Sequence, residues 1–213
     1  MIQWVFEAAM AAGVTDDVVV ATPDAEIQDV ALRFGATVVM TSLNHPSGTD
    51  RIAEVAETRV SDAYLNVQGD EPLVAVESIR ECAGALVGAK DVAMSSVFTI
   101  CPRSDSSDRN IVKVVTDLQG DALYFSRSDV PFDRSGTQHQ LKRHIGIYCY
   151  KRQVLQEFAT WTPTELETTE GLEQLRFLEH GVKIRMALGQ EGGPSVDTPE
   201  QAEAVRAVLN RQP

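Results

Sequence analysis

Asp70 closes the run Tyr64-Leu-Asn-Val-Gln-Gly-Asp70, which reads as a short strand and the loop after it, and Asp197 stands just before the Thr198-Pro199 start of the last helix. Open α/β sheets bind ligands beyond the carboxyl ends of their strands. Hard divalent cations take oxygen ligands, and magnesium commonly uses only one or two carboxylates together with substrate phosphates. The two aspartates suit that role. On spacing alone a second reading stays open, with Gly69-Asp70-Glu71-Pro72 as a turn and Asp197 as a favourable charge at a helix N-terminus. The segment His45-Pro-Ser-Gly-Thr-Asp-Arg51 sets a glycine between two hydroxyl residues at a helix start. Backbone N–H groups there either face a ligand or cap a turn. Arg127, Arg134, Lys142, Arg143 and His144 gather basic character that could hold a small anion. Surface or interface charge is the alternative for Arg127 and Arg134, and a hydrogen-bonded strand residue the alternative for His144.

Elements that would position these groups follow from periodicity. Ile2, Val5, Phe6 and Ala9 form one helical stripe that begins without a capping residue, and Gly13 stops it. A β-branched run over 17–21 predicts a buried strand, followed by a helix with Ile27, Val30, Ala31 and Phe34 inward and Gly35 at its end. Strands are predicted at 37–40 and 63–67, and helices at 50–57 and 76–87. This alternation predicts crossover units: a doubly wound, mostly parallel α/β sheet. From Val92 the spacing changes, with strands at 92–100, 111–116, 122–125 and 145–150 and a turn at 118–121. Residues 111–150 thus read as a small antiparallel excursion within one domain spanning 1–213. Helices at 154–159 and 172–179, a strand at 182–188 and a helix at 198–209 complete the chain. Thr198, Pro199 and Gln201 form a capping box with proline at the first helical position.

Composition narrows the function classes. A chain of 213 residues with 43% hydrophobic content can bury a substantial core. The formal net charge of −12 argues against a nucleic-acid partner. No apolar run reaches bilayer length and no signal-peptide pattern opens the chain, so a cytoplasmic location without membrane contact is expected. Cys82, Cys101 and Cys149 form no CxxC pair and read as small buried hydrophobes in a reducing compartment. Metal-ligand histidine pairs, GxSxG, Walker and GxGxxG patterns do not occur, which removes support from hydrolase, P-loop and dehydrogenase readings.

Six blocks occur together in order: His45 to Arg51, Asn66-Val-Gln-Gly-Asp-Glu-Pro72, Tyr124-Phe-Ser-Arg-Ser-Asp-Val-Pro-Phe-Asp-Arg134, Arg143-His-Ile-Gly-Ile-Tyr148, Leu172-Glu-Gln-Leu-Arg176 and Val196-Asp-Thr-Pro-Glu200. The set resembles the 3-deoxy-manno-octulosonate (KDO) cytidylyltransferases over essentially the whole chain. That resemblance implies a nucleotide-diphospho-sugar transferase-like fold and formation of CMP-KDO and pyrophosphate from CTP and KDO, for lipopolysaccharide biosynthesis. It implies Asp70 and Asp197 as catalytic ligands of Mg²⁺, which clamps phosphates and acidifies the attacking hydroxyl. Gln68, Arg127, Arg134, His144, Tyr148 and Glu173 are implied in the sugar pocket, the arginine forks pairing with carboxylate. Ser47, Gly48, Thr49 and Arg51 are implied near the nucleotide. A homodimer is implied, with contact through the antiparallel excursion. Phe132 and Cys149 are mild departures from the family pattern. A CMP-sialic-acid type synthetase and a non-catalytic sugar-binding paralogue are the rival readings.

The family also opens with a strand and a loop similar to P-A-R-x-x-S-x-R-L-P-G-K-P-L that surrounds the triphosphate, whereas Met1-Ile-Gln-Trp4 matches the helix after that loop. The expectation is therefore a chain given without its first strand and nucleotide loop, Met1 being an internal methionine or the start of a fragment. As given, it is expected to turn over negligibly. Interior strands of doubly wound sheets have two neighbours, so such a loss leaves two edges unpaired.

Overall fold

In the computed structural model, residues 1–15, 17–137, 139–196 and 198–209 are described. Helix α1 (Ile2–Ala12) starts at Met1 without a side-chain cap and ends at Gly13, whose φ of 63° is the left-handed conformation glycine takes at least cost. Strands β1 (Val19–Thr22) and β2 (Thr37–Met40) pair in parallel across α2 (Ala25–Arg33), which Asp24 caps by accepting the N–H groups of Glu26 and Ile27. The buried apolar cluster of this small unit is Val20, Ala31 and Ala36, with Phe6 against Phe34. Ile27 and Val30, expected inward, are instead exposed. A two-stranded sheet covers only a narrow stripe of a helix, and the shortest side chain on that stripe, Ala31, takes the contact.

The larger sheet holds β3 (Ala63–Asn66), β4 (Met94–Cys101), β5 (Lys113–Thr116), β6 (Ala122–Ser126), β7 (Leu141–Lys151) and β8 (Ile184–Leu188). Strands β3, β4, β5 and β8 point one way, while β6 and β7 run against them. Strand β7 lies between β3 and β4, and β8 extends β4 in parallel. The β5–β6 hairpin turns through Gly120 (φ 85°), with Asp117 N–H donating to Asp121 O, as the turn signal at 118–121 predicts.

Both faces of this sheet are covered, as the doubly wound class requires. Alternation along β7 sends Tyr148 and Tyr150 to a layer with α3 (Gly48–Thr58), α5 (Arg152–Phe158) and α7 (Gln174–Glu179). Ile147 and Cys149 face the opposite layer, built on α1 and α4 (Val76–Val87). All three cysteines are free and buried, as expected, and burial raises the thiol of Cys82 well above its ordinary range and that of Cys149 to about 12. Helix α6 (Glu165–Glu170), absent from the periodicity, is tied to α7 by a shielded ion pair between Glu167 and Arg176. Helix α8 (Pro199–Leu209) begins with the expected reciprocal box, Thr198 N–H donating to Gln201 Oε1 at 2.9 Å and Gln201 N–H to Thr198 Oγ1 at 3.3 Å. No described helix is long and apolar enough to cross a membrane.

Candidate active site

Strand β7 supplies the centre of the site. His144 and Tyr148 lie on one face with ring centroids 5.4 Å apart, and Phe125 meets the imidazole edge-on at 4.9 Å. Enclosure drives the His144 pKa down to about 3, so the ring is neutral. Its tautomer follows from its neighbour. Ser96 Oγ donates to Ile147 O at 2.8 Å, which leaves it to accept from His144 Nε2 at 2.9 Å. Nδ1 is then the acceptor that remains.

His144 and Tyr148 line a cavity of about 250 Å³ together with Glu71, Asn110, Arg143 and Gln174. Tyr148 Oη donates to Gln174 Oε1 at 3.3 Å, and the buried Gln174 Nε2 has no protein partner among the described residues. A buried amide donor without a partner is costly unless a ligand or water completes it. The cavity therefore combines an amide donor and a neutral ring with Arg143, which is ion-paired to Glu191 at 3.2 Å, and the carboxylate of Glu71, a polar set that fits a hydroxylated ligand. Its far wall is the loop 189–195, held by Ser78: Ser78 Oγ donates to Gln190 O at 2.8 Å and accepts Gln190 N–H at 2.9 Å. Gly189 is required there, because a Cβ on it would come 2.6 Å from Ser78 Oγ and collide with Val97.

Asp70 sits half-buried in the loop after β3, next to the cavity residue Glu71. Val196 N–H donates to Asp70 O at 2.8 Å, joining this loop to the segment that carries the second aspartate. Asp197 itself lies outside the described residues. Among the described residues no group of three or more His, Cys, Asp or Glu side chains forms a metal cluster. The carboxylate of Asp70 is an oxygen donor of the kind that Mg²⁺ takes.

The Ser47 to Arg51 segment forms the start of α3. Ser47 Oγ caps it, accepting Asp50 N–H at 3.2 Å and donating to the Asp50 carboxylate at 2.6 Å. Thr49 Oγ1 donates to Glu173 Oε1 at 2.5 Å and so accepts from Tyr150 Oη at 3.0 Å. Desolvation raises the Glu173 pKa, partly offset by the hydroxyls of Ser47 and Thr49. Gly48 lets the Gln68 amide approach, since a Cβ would lie 3.1 Å from Gln68 Nε2. Arg51 Nη1 donates to Thr41 Oγ1 and Ser42 O.

The structure thus brings His144 and Tyr148 into one cavity, and Ser47, Gly48, Thr49, Gln68 and Glu173 into an adjoining cluster at the α3 N-terminus. The two groups meet through neighbouring Glu173 and Gln174 and through the Tyr148–Tyr150 stack at 5.9 Å. Gln68 and Arg51 line a second, larger cavity rather than the His144 cavity. Of the basic residues grouped by sequence, Arg143 and His144 share the cavity and the other three separate from it. Arg127 binds Glu170 O and Arg109 O, Lys142 binds Thr116 and covers Phe98, and exposed Arg134 lines an open pocket with Arg103, Phe132 and His139. Gln174, Asn110, Ser78 and Glu71 were not singled out by sequence reading. Gln174 and Glu71 had a signal, since each falls within one of the quoted blocks; Ser78 and Asn110 had none.

Comparison with known proteins places the chain in a family. The family model described as Cytidylyltransferase matches residues 1–184. A curated 3-deoxy-manno-octulosonate cytidylyltransferase of Vibrio vulnificus is 43% identical, the match covering 98% of this chain and 87% of the relative. Its counterpart from Aliivibrio fischeri is 44% identical over 99% of this chain and 89% of its own. Among solved structures, a CMP:2-keto-3-deoxy-manno-octonic acid synthetase complexed with CTP matches with a TM-score of 0.96 at 34% identity, over 100% of this chain and 88% of that one. A nucleotidyl transferase from Methanothermobacter, 13% identical with a TM-score of 0.62 over 100% of this chain and 81% of that one, shares the fold.

Proposed function

Since the chain belongs to the cytidylyltransferase family, we propose that it makes CMP-KDO from CTP and KDO. The anomeric hydroxyl oxygen of KDO forms a bond to the α-phosphorus of CTP, the bond from that phosphorus to the pyrophosphate oxygen breaks in line, and the hydroxyl proton passes to solvent water. The single observation that carries this reading is the polar cavity of His144, Tyr148, Gln174 and Arg143, whose walls Glu71 and Ser195 flank the Asp70–Val196 hydrogen bond. The sugar is thereby set beside the carboxylate loop. Gln174 Nε2 and Arg143 donate to sugar oxygens, while neutral His144 accepts from a hydroxyl without adding charge. Asp70 and Asp197 would hold Mg²⁺, which would neutralise phosphate charge and lower the pKa of the attacking hydroxyl. Glu173, Thr49 and Ser47 fix the α3 N-terminus, whose N–H groups face the nucleotide. Gln68 stands beside Gly48 at the α3 N-terminus, while Arg127 and Arg134 lie outside the His144 cavity. The chain works in the cytoplasm as a homodimer through residues 111–150, where Leu123 and Phe132 are 62% and 82% exposed.

Calorimetric titration with KDO and with sialic acid tests the sugar assignment. A preference for KDO of about tenfold or more is expected for a site that hydrogen-bonds its ligand. Equal binding of both sugars, or of neither, overturns it. Pyrophosphate release should require CTP, KDO and Mg²⁺ together. Asp70→Asn and Asp197→Asn should each reduce that release by about 100-fold. Normal activity in either variant removes that aspartate from the metal site.

A further inference from the structure

Lys113, on β5, is wholly buried, and each of its three ammonium N–H groups goes to a main-chain carbonyl. Nζ donates to Asp108 O at 3.0 Å, Ile111 O at 2.8 Å and Arg127 O at 2.6 Å. Enclosing a cation among neutral oxygens is costly, and desolvation lowers the Lys113 pKa accordingly. An apolar side chain of similar length would fill the volume without that cost. It would lack the reach to three carbonyls at once.

Those carbonyls belong to two segments beside the His144 cavity. Asp108 and Ile111 stand either side of Asn110, which lines the cavity, and Arg127 directly follows β6. The loop is tied twice more: Arg127 Nη1 donates to Arg109 O at 3.0 Å, and Asn110 N–H donates to Asp108 Oδ1 at 2.8 Å. Val112, next along, also lines the cavity, and its carbonyl accepts the His144 N–H at 2.8 Å. Arg127 is gripped in turn by Glu170, whose carboxylate accepts the Arg127 N–H at 3.0 Å and the Ser126 hydroxyl at 2.6 Å. Residues 108–112 belong to no helix or strand, so these bonds set where Asn110 stands.

We propose that Lys113 is a positioning residue of the sugar site, holding Asn110 at the cavity rim, where its amide meets a hydroxyl of the bound sugar acid. An amide both donates to and accepts from a hydroxyl, so Asn110 adds a contact that His144 and Gln174 leave open. Lys113 touches no ligand and acts through the loop. This role rests on the sugar reading of the His144 cavity.

Calorimetric titration with KDO on the native chain, Lys113→Met, Asn110→Ala and the double variant tests it, with urea midpoints measured on each. Lys113→Met keeps the stem and removes the donors, and should weaken KDO binding by about tenfold or more. Asn110→Ala, at an exposed position, should weaken binding with an unchanged urea midpoint. The double variant should bind about as weakly as Lys113→Met alone, because the lysine then has no asparagine to place. A lysine that only supports the fold gives losses that multiply instead, and that result overturns the proposal. Where Lys113→Met does not fold, Lys113→Gln, which keeps two N–H donors without the charge, takes its place in the same cycle. Native affinity in Asn110→Ala overturns the proposal whatever the lysine variants do. A native chain that binds no KDO overturns the sugar assignment and this role together, whereas KDO binding untouched by either substitution overturns this role alone.

Discussion

His144 cannot accept a proton in place without putting a charge among Phe125, Tyr148 and Ser96. Its folded pKa, near 3, lies below the ordinary 6.5, so the unfolded chain binds the extra proton. Stability from this group is therefore full above about pH 6.5 and falls by about 1.4 kcal/mol per pH unit below it, towards the folded value. Urea midpoints between about pH 7 and pH 5 should drop more steeply for the native chain than for His144→Gln. Glu173 acts in the opposite sense. Its folded pKa is raised by burial, so its contribution is present below the ordinary glutamate range and is lost as pH rises through the folded value. Glu173→Gln should accordingly raise the Tm more above the folded Glu173 pKa than below the ordinary glutamate range, read as a Tm-against-pH series for both chains; an equal change across the series would contradict a desolvated carboxylate. His144, Tyr148 and Glu173 were legible because each sits in a recognisable block. Ser78 and Asn110 were not, because nothing local distinguishes a serine or asparagine that faces a cavity from one that faces water.

At the scale of elements, the site depends on connections remote from the chemistry. The loop after β8 is anchored to α4 by the two bonds of the buried Ser78 hydroxyl. Ser78→Ala leaves Gln190 N–H and C=O unpaired, and should lower unfolding stability by about 1–3 kcal/mol in urea titration and weaken KDO binding. Loss of stability with unchanged sugar affinity would show that the loop does not shape the cavity. Secondary structure was largely predictable, helix 76–87 and the Thr198 box included. Strand β7 begins four residues earlier than expected, at Leu141, because Lys142 and Arg143 disguise an alternation whose apolar member, Leu141, is buried.

Across the whole molecule, packing is uneven. Two substantial apolar layers sandwich the larger sheet, while β1, β2 and α2 share a cluster of three buried residues. Local opening free energy follows buried apolar contact, so amides of β1 and β2 should exchange faster than those of β4 and β7 by about 100-fold or more. Uniform exchange across both sheets would contradict that division. The proposed homodimer belongs to the same scale. Sedimentation at micromolar concentration should show a dimer that Phe132→Ser weakens, and a monomer would exclude it.

Local order came from sequence alone: helix stripes, caps, the 118–121 turn and the change of rhythm at Val92 are set by neighbours within a few residues. The ordered blocks also pointed to the chemistry, because the residue types that bind phosphate and carboxylate are few. Only the tertiary structure decided that β7 lies between β3 and β4 and that Gln174 meets Tyr148. Strand neighbours are chosen by how distant layers bury one another, and that free energy has no expression in any short stretch of chain.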